Sequence, residues 1–92
     1  MALFFEWNES KASTNLKKHS VSFEEATTVF GDILSVTISD PLHSTEEDRF
    51  IIIGHSFKNR LVVVVHADRS DKIRIISARL ATKSERKFYE SK

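Results

Sequence analysis

Apolar side chains recur along this chain with two different periods, and the change of period divides it into helical and extended parts. From Ile33 to Ser39, Ile33, Ser35 and Thr37 alternate with Leu34, Val36 and Ile38, the pattern of a strand with one buried face before the Asp40-Pro41 turn. Three runs rich in β-branched residues follow, Arg49 to Phe57, Arg60 to Ala67 and Lys72 to Arg79. The links around Lys58-Asn59 and from Asp68 to Asp71 are hairpin-short, so these strands are expected to form an antiparallel meander.

Upstream the period lengthens. Leu3 to Trp7 is a short strand-like segment, and Asn8 offers a side-chain oxygen to start a helix through about Lys18, with Ala12, Leu16 and His19 on one face. Ser22 and Glu25 have capping-box spacing, with Phe23, Ala26, Thr27 and Phe30 as the apolar stripe of a second helix that Gly31 ends. Thr82 and Glu85 repeat the box and open a terminal helix. The order strand, two helices, four strands, helix predicts an α+β fold: an antiparallel meander with two N-terminal helices and one C-terminal helix packed on it.

Composition narrows this further. Ninety-two residues with two Gly and one Pro leave no interior boundary, so residues 1–92 read as one domain whose small core is marginal without good packing or a covering partner. Seven Phe can fill that core, and the absence of cysteine removes disulfides and thiolate chemistry. No apolar run approaches the roughly 18 residues of a membrane span, and Glu6 lies where a signal peptide would be basic, so a soluble, cytoplasmic protein is expected.

Charge is strongly segregated. Up to Phe57 the chain has 4 Lys and Arg against 9 Asp and Glu, and from Lys58 onward 10 against 4, so a total of +1 conceals −5 followed by +6. A basic half on a small domain points to a polyanion or an acidic partner.

Arginine carries much of that charge. By simple alternation Ile73, Ile75, Ser77 and Arg79 share one side of the last strand, and Arg74, Ile76 and Ala78 the other. A buried guanidinium needs a partner, so Arg74 and Arg79 should each reach solvent, a carboxylate or a phosphate. Arg86 and Tyr89, three apart on the terminal helix, lie next to the edge where Arg79 emerges, and guanidinium groups beside a phenol suit phosphodiester chemistry. Arg60 opens a strand after the Lys58-Asn59 turn and can fork onto phosphate. The plainer explanations are an ion pair with an acid of the first half for Arg79 or Arg74, an Arg86–Glu90 helix pair, and a half-buried core role for Tyr89.

The helix end Lys17-Lys18-His19 is explained by the helix dipole alone, although a histidine there could also exchange protons with a bound nucleotide. His43 and Ser44 precede Glu46 and Glu47 in an acidic loop where a carboxylate could orient the ring. Four widely spaced histidines make a poor metal site, and neither a glycine-rich phosphate loop nor a nucleophile elbow is present, so no metal or cofactor is expected.

Together these residues resemble the BrnT family of bacterial type II toxins, which are similar to RelE-type ribonucleases. The resemblance runs through Phe5-Glu6-Trp7, Lys11-Ala12, Asn15, Lys18-His19, Val21 to Ala26 and Val29-Phe30. It continues through Asp40, His43-Ser44, Glu47, Arg49-Phe50, Ile53-Gly54, Ser56 and Arg60 to Ile73–Arg79, Ala81-Thr82, Glu85-Arg86 and Tyr89-Glu90. It implies a RelE-like fold and an RNA endonuclease that inhibits translation, held inactive by a BrnA-like ribbon-helix-helix antitoxin in a hetero-oligomer, with RNA as substrate, free or on the ribosome. The expected mechanism is metal-independent attack of the ribose 2′-hydroxyl on its neighbouring phosphate, a reaction in which positioned cations stabilise the charge that develops. On that reading Arg60, Arg79 and Arg86 stabilise charge, Lys18, His19 and Tyr89 move protons, and Arg74, Lys17 and His43 hold substrate. A non-catalytic basic module that binds an acidic protein or RNA is the alternative. Ser20 and Asn59 depart from the glycines common in the family; Asn tolerates positive φ, whereas Ser20 would be strained by it.

Overall fold

The computed structural model describes residues 3–40 and 48–91. Its elements are β1 (Phe4–Glu6), α1 (Glu9–His19), α2 (Phe23–Thr28) running into a 3-10 turn (Val29–Gly31), β2 (Val36–Ser39), β3 (Arg49–His55), β4 (Leu61–Arg69), β5 (Lys72–Leu80) and α3 (Lys83–Glu90). The caps are those the sequence predicts. The Asn8, Ser22 and Thr82 side chains accept hydrogen bonds from the backbone N–H groups of Lys11, Glu25 and Glu85, and the Thr82–Glu85 box is complete.

Strand order is β1-β5-β4-β3-β2. β2 to β5 form the expected antiparallel meander, but the sheet as a whole is mixed, because β1 joins the far edge parallel to β5, pairing Phe5 with Ile73. Packing accounts for this: the Phe5 ring lies tilted against Phe30 with centroids 5.2 Å apart, and both lie against the core cluster that includes Ile75. β2 starts later than the expected Ile33. Asp32 accepts from the Leu34 N–H and turns the chain there, leaving Ile33 96% exposed. β3 likewise ends at His55, since Ser56 to Asn59 form the turn closed by the Ser56 N–H on the Arg60 carbonyl.

One face of the sheet carries α1 and α2 over Val21, Phe23, Ala26, Val29, Ile52, Val62, Val64, Ile75 and Ala78. The other carries α3, with Tyr89 packed on Ile53, Leu61 and Val63. Gly54 lets β3 approach the 3-10 turn closely, since a Cβ there would lie 3.1 Å from Val29 and 3.0 Å from Ser35.

The simple alternation expected for β5 fails at one residue. His66 of β4 pairs with Ile75 and Val65 with Ser77, so Ile76 is an extra, bulged residue. The bulge resets the phase. Ile75 and Ala78 both enter the core under the helices, and Arg74, Ser77 and Arg79 fall together on the opposite face.

Ser20 and Asn59 both take φ 60°. Ser20 ends α1 as a left-handed cap, donating its N–H to the Leu16 carbonyl. A non-glycine residue pays about 1–2 kcal/mol there. Ser20→Gly is therefore expected to raise the melting temperature by several degrees, about 4–8 °C per kcal/mol for a domain of this size, as read by thermal denaturation.

Candidate functional site

α1 lies along the part of β5 that β1 does not cover, packed through Ala12 and tied there by one polar side chain. Asn15, only 7% exposed, donates to the Ala78 carbonyl at 2.8 Å and accepts from the Ala78 N–H at 3.1 Å, acting as one residue of an added strand. Its amide also donates to the Val21 carbonyl at 2.9 Å, fixing the chain after the helix. With α1 so anchored, Ser10, Lys11, Thr14, Lys18 and His19 line a groove whose opposite wall is the bulged Ile76 with Ser77. Along the same edge Trp7, Asn8, Arg69 and Arg74 border a second depression, where Arg69 lies 3.8 Å from Glu6. The edge thus presents Lys11, Lys18, His19, Arg69 and Arg74, with Glu6 as the acid lining it, a setting suited to successive phosphates of a nucleic acid strand.

Lys18, His19 and Arg74 of the expected site residues lie along this edge. Lys17 is exposed on α1 outside the groove lining, and His43 lies outside the described residues, as do Ser44, Glu46 and Glu47. The arginines expected to converge do not meet in one cleft. Arg60 forks onto the buried Glu25 of α2, which also accepts from the Ser56 hydroxyl at 2.6 Å, and it donates to the Ser20 carbonyl at 2.9 Å. Its hydrogen bonds hold the Glu25 carboxyl below its ordinary value against the opposing effect of burial, with Ser56 helping.

Arg79 forms a two-pronged pair with Glu85, both N···O distances 2.7 Å. Arg79's hydrogen bonds, opposed by burial and aided by the Thr82 cap, bring Glu85 down to about 2. The acid comes from the adjoining helix start rather than from the first half of the chain. Arg86 is 3.7 Å from Glu90, the exposed helix pair that the spacing allows.

Tyr89 is buried at the other end of the molecule. Its hydroxyl donates to Asp32 at 2.6 Å and lies 3.2 Å from His55 Nδ1. Burial first, then Asp32, pushes the phenol up to about 12, the opposite of the lowering a proton-transfer role requires. Burial alone would raise the Asp32 carboxyl, but donation from Tyr89 and from the His55 and Leu34 N–H groups keeps it below its ordinary value. The Asp32–Tyr89 contact therefore latches α3 to the end of the 3-10 turn.

Asn15 and Lys11 entered only through the family resemblance, and Ser77 only as a position in the alternation of β5. Asn15 does leave a trace in the sequence, an amide on the helical face that otherwise packs inward. The bulge at Ile76, in the wall of the groove, leaves none.

The fold matches the 1.1 Å crystal structure of the Brucella abortus ribonuclease toxin BrnT with a TM-score of 0.69, covering 89% of this chain and 100% of that one at 20% identity. At the sequence level, residues 7–85 match the family described as the ribonuclease toxin, BrnT, of type II toxin-antitoxin systems. The chain belongs to the BrnT family. No curated protein matches it. The BrnT match begins at Trp7, beside the second depression, and ends at Glu85, the partner of Arg79, so it takes in the whole basic edge but not Arg86 or Tyr89. No helix among the described residues is long and apolar enough to cross a membrane.

Proposed function

We propose that this BrnT-family ribonuclease toxin cleaves RNA without a metal ion, by attack of the ribose 2′-hydroxyl on the adjacent phosphate, at the groove between α1 and β5. The observation that carries this reading is the alignment of Lys11, Lys18, His19 and Arg74 along one strand edge. The substrate supplies its own nucleophile, so the protein has to hold the chain, stabilise the phosphorane and move two protons.

His19 and Lys18, at the end of α1 facing Ser77, are assigned the proton transfers, and Lys11 and Arg74 the flanking phosphates. Arg60 acts through position: its bond to the Ser20 carbonyl fixes the residue next to His19. Arg79, two residues beyond Ser77 on the same face, contributes charge once phosphate competes with Glu85 for its guanidinium. The cellular outcome on this reading is arrest of translation in the cytoplasm, relieved by a ribbon-helix-helix antitoxin of BrnA type.

The pairing of Arg60, Arg79 and Arg86 with separate acids favours the alternative, a non-catalytic basic module. One assay separates the two. Purified protein incubated with end-labelled RNA in EDTA is expected to yield 5′-hydroxyl and 2′,3′-cyclic phosphate ends. Intact RNA would favour the binder, and 5′-phosphate products, or cleavage abolished by EDTA, would overturn the mechanism.

A further inference from the structure

The sheet face opposite α1 and α2 is only partly covered. Pairing register lays its side chains out in rows that cross the strands. Val36, Ile53, Val63 and Arg79 form one row, and α3 sits over it through Tyr89. The next row is Ile38, Ile51, Val65 and Ser77, and beyond it come Arg49, Ala67 and Arg74. Ile38 is 45% exposed, and Ile51, Val65 and Ser77 are half-buried. The middle row is therefore an apolar lane with α3 on one side and the row that ends in Arg74 on the other.

Its dimensions suit one kind of occupant. Four strands span about 14 Å and adjacent rows lie about 7 Å apart, so the lane accepts roughly ten residues of a helix lying beside α3. Aliphatic side chains without an aromatic platform offer nothing for bases to stack on, which disfavours RNA here. Arg74 at the border favours a carboxylate.

We infer that this lane is the docking surface for an amphipathic helix of the antitoxin, with aliphatic residues at i, i+3 or i+4 and i+7 seated on Ile38, Ile51 and Val65 and an acidic residue facing Arg74. The inference rests on the toxin reading for the existence of the partner, and it adds how inhibition works. A helix engaging Arg74 takes one of the groove's phosphate-binding cations without having to fill the groove.

The chain has no cysteine, which makes a clean footprint available. Ile38→Cys and, as a reference on the opposite side, Ser13→Cys are labelled with a maleimide in the free protein and in complex with the purified cognate antitoxin. The antitoxin is expected to protect Cys at 38 and leave Cys at 13 reactive. In parallel, Ile38→Glu, an exposed site that spares the core, should weaken antitoxin binding about 30-fold or more while RNA cleavage stays within twofold of the parent. Equal labelling at 38 in the two states, or unchanged affinity of Ile38→Glu, would overturn the inference. Protection of position 38 by RNA in place of antitoxin would overturn it as well, by assigning the lane to substrate. Failure of the parent protein to cleave RNA would defeat the ribonuclease reading while leaving the footprint readable.

Discussion

Arg60→Ala is expected to cost about 3 kcal/mol of stability, because it strands a carboxylate that is 1% exposed. For a domain of this size that lowers the melting temperature by on the order of 10–20 °C. Glu25 is held by three donors from two sources, the Arg60 fork and the Ser56 hydroxyl, and removing the fork leaves the charge with one neutral partner. Glu25→Gln on the Arg60→Ala background should recover part of the loss, since a neutral amide is cheaper to bury than a carboxylate.

The pH dependence carries its own sign. In the folded parent Glu25 lies below its ordinary value of 4.5, so its contribution is complete above about that pH and is lost as pH falls through the folded value. The gap between parent and Arg60→Ala should therefore be widest at neutral pH and narrow in acid. Denaturant melts at pH 7 and pH 3.5 measure this directly. A variant that melts with the parent yet no longer cleaves RNA would mean that Arg60 acts on substrate and not through the scaffold.

What could be read from the sequence follows the range of the interactions concerned. The caps at Asn8, Ser22 and Thr82 depend on residues three apart, and each is found where the spacing places it. The hairpin at Asn59 and the left-handed Ser20 are equally local. The parallel pairing of β1 with β5 joins segments nearly 70 residues apart through three residues, and no local pattern specifies it. The bulge at Ile76 is set by how β4 and β5 pair, so alternation read along β5 alone put Arg74 and Arg79 on opposite faces.

The site divides in the same way. That arginines in strands need partners was evident from their chemistry, but which acids serve depends on tertiary contact. Glu25 reaches Arg60 across 35 positions, and Glu85 reaches Arg79 because a helix cap turns it back toward the strand. Lys18 and His19 were visible as a basic helix end, whereas the wall they face was not.

The second large effect separates the two ends of the molecule. His19→Ala and Lys18→Ala should each lower kcat for RNA cleavage by about 10²–10⁴, the range of a lost general acid or base, with little change in melting temperature, since Lys18 is exposed and His19 only half-buried at the rim of the groove. Tyr89→Phe should do the reverse. It removes the hydroxyl that donates to Asp32, costing about 1–2 kcal/mol, while Asp32 keeps its backbone donors and cleavage proceeds at the parental rate. Single-turnover cleavage and thermal melts on the same three variants give the comparison. Loss of cleavage in Tyr89→Phe with full activity in His19→Ala would move the chemistry to the Asp32–His55 end of the sheet and leave the basic edge as a binding surface alone. The opposite result would fix the proton transfers at the end of α1, where Arg60, through Ser20, and Asn15, through Ala78, hold the helix against the strand.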